Sequence, residues 1–529
     1  MSRKNKRQNK NNNKQTAASS AAAPASAAAS ATTAVSATTT TAVGTDASAS
    51  LAAEGASWDA RWDELLAGRR YWIVLAVITL AAAVLRFWGL GRFDQLVFDE
   101  VYFAQYGFNY LADVTFFDAH PPLSKYIIGG GIWLYNLMPF TETVDFAQVQ
   151  LTEMSPVARR WINAVTGTAL IPVAARALYA LWPNRLASLV FALILTLEGL
   201  LIVESRYGLN NIYIAIFGLS ALYFLGKAGS AKTNKLYFLL ACSAMLGLTY
   251  SIKWNGLGFS AVVWGACILS YVLVLRCKYL GVPLGGLAAS WFKAIAAVNP
   301  LLLIPIILLP GALIYSLLWI PHVSMIPDYG FIEVQRQIFG YHSGGVEADA
   351  HPYCSAWYGW PVMARPMSYL FETEEIAGQK IFTDVHLMAN PAIIWLGAAS
   401  VVLMLPLWDY NLQRALRHGE IKGQLFFQSI VIGGFVANFL PWAFVTRCLF
   451  MYHYIPAALF SFMALAWVLT QLLSGRPLLT LYRGWLSRGL GLMLLLFIVV
   501  AFIYWLPIFL GLPLSSDGFY ERMWFRSWI

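Results

Sequence analysis

Two adjacent acids, Asp99 and Glu100, follow directly on the apolar residues Leu96, Val97 and Phe98. Neighbouring side chains on a helix point about 100° apart, so these two cannot share a proton as a facing dyad would. The arrangement suits separate jobs, with one carboxylate as a general base and the other orienting a neighbour or the acceptor. A carboxylate in a partly desolvated cleft has its pKa raised toward the operating pH, which a base acting on a hydroxyl needs. Acids in the first turn of a helix are also favourable in their own right, and spacing alone does not separate the two readings. Further on, Asp118, His120, Pro121, Pro122 and Lys125 form a second polar group. Its prolines can start a helix and hold His120 at the mouth. A cationic set completes the inventory: Arg159 and Arg160, Arg206, Lys253 beside Trp254, and Arg447 with Tyr452 and His453 close behind it. One charge at a membrane boundary is tolerated by snorkelling, and Tyr452-His453-Tyr454 could be an aromatic belt. Four basic sites at such boundaries nevertheless point to an anionic partner. A lipid-linked phosphate would accept hydrogen bonds from Arg at that depth.

The elements that must position these residues are membrane spans. The chain has 529 residues, 59% hydrophobic and only 12% charged. Ordinary soluble domains have about 45–50% and about 25%. That balance excludes a soluble enzyme and a secreted disulfide scaffold. A β-barrel porin is excluded as well, because the apolar residues run in stretches near 20 rather than alternating over about ten. Eleven runs stand out, near 71–88, 161–182, 186–203, 207–226, 236–251, 256–275, 294–320, 391–408, 425–445, 449–472 and 489–512. The fold class is therefore an all-α polytopic membrane protein with about eleven transmembrane helices. Two long outside loops, 89–160 and 321–390, carry segments such as 101–111 and 122–138 that are amphipathic enough to lie on the membrane surface. The five cysteines show no metal-ligand spacing, and the four in or beside apolar runs read as small packing residues.

Charge sets the orientation. With the N-terminus inside, the inside loops hold Arg185; Lys227, Lys232 and Lys235; Arg276, Lys278 and Lys293; Arg414, Arg417 and Lys422; and Arg476, Arg483 and Arg488. The opposite assignment would break the positive-inside rule at every one of these loops. The net charge of +9 has this origin, so no nucleic-acid partner is expected. Residues 1–57, basic to Lys14 and then rich in Ala, Ser and Thr, read as a disordered cytoplasmic tail. Residues 58–512 form the transmembrane domain and 513–529 an outside C-terminal tail.

At the residues singled out above, the sequence resembles the protein O-mannosyltransferase family, membrane glycosyltransferases of the type C (GT-C) fold. The resemblance covers about 71–512. It is carried by Phe98-Asp99-Glu100-Val101-Tyr102-Phe103, His120-Pro121-Pro122-Leu123-Ser124-Lys125, Arg160, Ser205-Arg206-Tyr207, Lys253-Trp254-Asn255-Gly256-Leu257, Asn390-Pro391-Ala392-Ile393-Ile394-Trp395, and the run from Arg447 through Tyr452-His453-Tyr454 to Pro456. It implies an enzyme of the cell membrane that moves mannose from a polyprenyl-phosphate carrier to Ser or Thr hydroxyls of translocated proteins, with inversion at the sugar carbon. The donor is a substrate, so no cofactor is implied; the acceptors are secreted or membrane proteins, met at the translocon. Asp99 would be the base, and Glu100 would orient the acceptor or the loop. Arg160, with Lys253 and Arg447, would bind the carrier phosphate. His120, Lys125, Arg206, Trp254, Tyr452 and His453 complete the substrate-binding set. Many eukaryotic relatives insert a β-trefoil in the second long loop, and with only about 70 residues there the bacterial-type branch fits. Where the family often has an Asp after Ser205-Arg206, this chain has Asn210 or Asn211. A type C transferase acting on a lipid or envelope glycan is the near alternative. A lipid-linked sugar transporter is disfavoured, since the charges sit at helix ends rather than at the midplane and no repeat shows.

Overall fold

The computed structural model describes residues 58–231, 233–282, 289–326, 329–344, 351–421, 424–476 and 484–529. The 1–57 tail, and with it Lys232, Lys422 and Arg483 of the charge argument, lies outside the described residues. All eleven apolar runs are helical, though unequally. Among the described residues nine helices are long and apolar enough to cross a membrane. The 186–203 run is a bent pair, Arg185–Thr196 and Gly199–Arg206, with a 59° break. The 236–251 run is the short helix Lys235–Tyr250. The break has a local cause: the Glu198 side chain caps the second half, accepting from the Leu201 amide at 3.0 Å. A polar cap inside an apolar run starts a new helix by satisfying its orphan N–H groups.

Every residue of Ile455–Leu473 is buried. This helix is the core of the bundle and packs against Arg185–Thr196, Pro391–His418, Leu425–Phe439 and Gly484–Leu510. Pro156–Leu181 and Asn211–Ser230 pack together beside it. At the periphery Pro300–Ser324 is only 17% buried at a mean hydropathy of 2.5. An apolar helix exposed along its length is stable only in lipid, with its backbone groups satisfied internally.

The first long loop folds as two helices, Glu100–Asn109 and Leu123–Asn136, packed on each other. Glycine makes this crossing possible. A Cβ at Gly107 would lie 2.9 Å from the Gly129 nitrogen, so any side chain there would push the helices apart.

The second long loop departs from an all-α reading. After the helix Phe331–Gly344 it forms an antiparallel hairpin, β1 (Met367–Ile376) and β2 (Gln379–Leu387), running from Met367 opposite Leu387 to Ile376 opposite Gln379. The turn residues Ala377 and Gly378 both have positive φ (53° and 79°), as a tight two-residue hairpin requires. A short strand, β3 (Leu514–Ser515), adds to β2. Residues 513–529 are thus no loose tail: Trp528 is fully buried, and its indole N–H donates to the Met363 carbonyl at 2.8 Å. The cysteine reading is corrected as well. Cys448 does not fill an apolar gap but forms a disulfide with Cys354, while Cys242, Cys267 and Cys277 remain buried thiols.

Candidate active site

The acid pair sits where the chain turns into the helix Glu100–Asn109. Phe98 holds the left-handed conformation (φ 51°), which is uncommon for a bulky residue, costs about 1–3 kcal/mol and persists only where the surroundings fix it. They do: the Phe98 ring stacks on Tyr369 of β1, with centroids 4.1 Å apart. From this kink the two carboxylates diverge. Glu100 points inward and is fully buried. It accepts from Arg160 Nε (2.9 Å) and a terminal Arg160 nitrogen (2.8 Å), and from the amides of Val97 and Gly208, both at 2.8 Å. Asp99 points the other way, into a cavity of about 350 Å³, and its side chain has no hydrogen-bond partner among the described residues.

Two cavities meet here. The Asp99 cavity is walled by Tyr102, Phe103, Phe117, Asp118, Tyr341, Phe450 and Tyr452. The second, about 410 Å³, is largely apolar and is lined by Lys253, Trp254, Leu257, Ala261, Pro441, Trp442 and Val445. They share one wall, made of His120, His342, Arg447 and His453. A carboxylate thus lies on one side of a cationic and imidazole partition, and an ammonium group lies on the other.

Burial raises the Asp99 pKa to about 7; Lys253 opposes that rise, while Glu204 and Asp118 add to it. Burial lowers Lys253 to about 8, against the pull of Asp99 and Glu204 and with help from Arg447. The Lys253 Nζ lies over the rings of Tyr452 (4.8 Å) and Phe103 (5.4 Å) and donates to Asn211 Oδ1 at 3.3 Å. Burial, with Lys253 nearby, holds His120 well below its ordinary value, and burial lowers His342 too. Both imidazoles are therefore neutral at pH 7 and their rings stack, with centroids 5.3 Å apart.

The expected site residues thus divide. Asp99, His120, Lys253, Trp254, Arg447, Tyr452 and His453 line one or both cavities. Glu100, Lys125, Arg160 and Arg206 do not. Every Arg160 nitrogen is engaged: beside Glu100, it donates to the carbonyls of Leu90, Phe93 and Gln95. No donor is left for a phosphate, and its geometry is that of a clamp on Glu100 and on the loop before it. Arg206 donates to the carbonyls of Leu85 (2.9 Å) and Trp88 (2.7 Å), closing the carboxyl end of the helix Arg69–Phe87, where a cation also meets the favourable end of the helix dipole. Lys125 is buried, ion-pairs with Asp118 and donates to the His120 carbonyl at 2.8 Å, so it shapes the His120 loop from behind. Trp254 donates from its indole to the Tyr315 hydroxyl at 3.0 Å.

Sequence reasoning did not assign His342, Tyr369, Asn211 or Glu204 to the site. Tyr369 donates its hydroxyl to Glu204 Oε1 at 2.7 Å, and Asn211, at a position where the resemblance leads one to expect an Asp, is the acceptor for Lys253. His342 and Tyr369 lie in a loop whose local sequence carries no motif, and only long-range packing brings them in. Glu204 carried one usable signal, as an acid beside Arg206 at the end of an apolar run.

Comparison with known proteins matches almost the whole spanning region. Residues 76–313 match the family described as dolichyl-phosphate-mannose-protein mannosyltransferase, and residues 328–528 match the C-terminal four-helix transmembrane region of protein O-mannosyltransferase. The polyprenol-phosphate-mannose–protein mannosyltransferase of Mycolicibacterium smegmatis is 25% identical, with 86% of this chain and 93% of that one aligned. The Mycobacterium tuberculosis enzyme of the same name is 23% identical over 87% and 92%. Among solved structures, the Saccharomyces cerevisiae Pmt1-Pmt2 complex bound to the sugar donor superposes with a TM-score of 0.68 at 16% identity, covering 91% of this chain and 94% of that one.

Proposed function

Since the chain belongs to the protein O-mannosyltransferase family, we propose that it transfers mannose from polyprenyl-phosphate-mannose to Ser or Thr hydroxyls of proteins, with Asp99 as the base. The observation that carries the site assignment is the pair of cavities meeting at His120, His342, Arg447 and His453. The apolar cavity suits the first isoprene units of a carrier, and its Lys253 and Arg447 suit the phosphate. The Asp99 cavity, rimmed by aromatic and polar side chains, suits an extended acceptor segment.

In this reading the sugar bridges the shared wall. As the bond from the mannose carbon to the phosphate oxygen breaks, negative charge grows on the phosphate. Lys253 and Arg447 stabilise that charge without reorganising. The acceptor hydroxyl attacks from the opposite face and gives its proton to Asp99, inverting the sugar carbon. With a pKa near 7, Asp99 is basic enough to take the proton, and about half of it is ionised at neutral pH. The leaving phosphate needs little protonation, so one carboxylate suffices, unlike glycoside hydrolysis, where a general acid is paired with it. Glu100 and Arg160 hold the loop that aims Asp99 and take no part in binding.

The site faces away from the cytosol in this reading, with the N-terminus inside the cell and the protein in the plasma membrane, where it meets secreted or membrane acceptors as they leave the translocon. The charge bias supports that orientation, and so does the Cys354–Cys448 disulfide, because such bonds persist in oxidising compartments. The test is Asp99→Asn in purified enzyme with polyprenyl-phosphate-mannose and an acceptor peptide: transfer is lost while donor binding persists. Turnover at the wild-type rate would remove Asp99 as the base.

A further inference from the structure

Glu204 is a fully buried carboxylate for which the steps above have no use. It lies in the last turn of the helix Gly199–Arg206, where the negative end of the dipole disfavours an acid. Among the described residues no cation is within ion-pair distance of it, and its Oε2 atom has no hydrogen-bond partner. A buried carboxylate so placed is expensive. Yet two polar side chains next to it, Tyr369 and Asn211, belong to the site. Its Oε1 accepts from Tyr369, the residue that braces Phe98 next to Asp99. The Asn211 side chain also reaches it, and Asn211 in turn accepts from Lys253. Glu204 thus stands between the brace behind the base, which donates to it, and the Asn211 side chain that holds the cation on the phosphate side.

We propose that Glu204 is a positioning residue for the transfer reaction: through Asn211 it fixes the Lys253 ammonium, and its negative charge sets how readily Asp99 accepts a proton. This rests on the reading of Asp99 as the base. The charged groups acting on Asp99 are Lys253, Glu204 and Asp118, and those on Lys253 are Asp99, Glu204, Arg447 and Asp118. Tyr452 and Phe103 cover Lys253, and His120 and His342 stay neutral across the shared wall. Removing the Glu204 charge therefore acts on two groups in one direction. Asp99 loses a like charge and gives up its proton at lower pH, and Lys253 loses an opposite charge and also deprotonates at lower pH.

The experiment compares pH–rate profiles of full-length wild-type enzyme and Glu204→Gln in lipid nanodiscs. Gln keeps the shape and an acceptor for Tyr369. Both limbs of the profile are expected to move toward acid by about half a unit or more. A purely structural role would scale the profile down and leave its limbs in place, and that result, like an unchanged profile, overturns the proposal. If Glu204→Gln does not yield folded protein, Asn211→Leu carries the test. It cuts the link to Lys253 and leaves the charge, so the donor KM rises at least several-fold while the acid limb stays; an unchanged donor KM overturns the proposal. An inactive Asp99→Asn with an unmoved Glu204→Gln profile refutes the role of Glu204 alone, whereas an active Asp99→Asn takes down both readings.

Discussion

Arg160→Ala separates a clamp from a phosphate ligand. The wild-type guanidinium, itself without exposure to solvent, makes two hydrogen bonds to the fully buried Glu100 and three to the carbonyls of Leu90, Phe93 and Gln95. The variant leaves Glu100 with the amides of Val97 and Gly208 and with Arg159, whose nearest nitrogen is 3.8 Å away. It also takes the Arg160 donor from the carbonyls of Leu90 and Phe93, while the Gln95 carbonyl keeps Arg159 at 3.2 Å. Removing one partner of a buried ion pair costs about 3–5 kcal/mol, because the other charge stays behind uncompensated. At about 1.4 kcal/mol per factor of ten, that is about two to three and a half orders of magnitude in the folded ratio. The assay is equilibrium unfolding in a fixed detergent, run as a double-mutant cycle with Glu100→Gln and paired with donor-binding titrations. Arg160→Ala is expected to lose stability strongly, to couple with Glu100→Gln by about 2 kcal/mol or more, and to bind donor normally in whatever fraction remains folded. Arg447→Ala, at a half-buried residue of the shared wall, should do the reverse, with near-normal stability and weakened donor binding. An Arg160→Ala protein of wild-type stability that fails to bind donor would refute the clamp.

Two more outcomes follow from the site. Activity should be bell-shaped in pH, falling below about 7 as Asp99 gains its proton and above about 8 as Lys253 loses one; Lys253→Arg, which stays charged, should abolish the alkaline fall in a pH–rate series. Replacing Cys354 and Cys448 together by Ser removes a crosslink spanning 94 residues, worth up to about 4–5 kcal/mol in the loop-entropy view; it also frees the backbone beside Arg447, so the thermal midpoint should fall and the donor KM should rise in the same preparation.

Much of the fold was legible because the bilayer imposes a one-dimensional rule. A helix that must satisfy its own backbone in hydrocarbon needs about 20 apolar residues, so spans show as composition. Each of the eleven apolar runs is helical. The break at Glu198 is where composition misleads, since a single polar cap inside a run leaves its average hydropathy nearly unchanged. The hairpin at 367–387 was hidden for the opposite reason: strand pairing depends on partners across the turn and on β3 from the far end of the chain. The Cys354–Cys448 bond joins two loops and has no local spacing to betray it.

The candidate site was legible by residue type but not by direction. Acids, cations and aromatics at the ends of apolar runs marked where chemistry could gather. Whether each side chain turns toward a cavity or into the protein depends on a few degrees of backbone and on what packs behind it. At Phe98 one left-handed residue turns Asp99 outward and Glu100 inward. Arg160 and Arg447 read alike in sequence, yet one is spent on Glu100 and three carbonyls while the other stands on the wall between two cavities. Composition and order along the chain are enough to place the protein in a membrane and to say which residue types gather at the ends of its spans, because transfer from water to lipid acts on each residue separately. Which of those residues meet, and which merely hold the others in place, was decided by the tertiary structure alone, because hydrogen bonds and ion pairs are made between groups that only folding brings together.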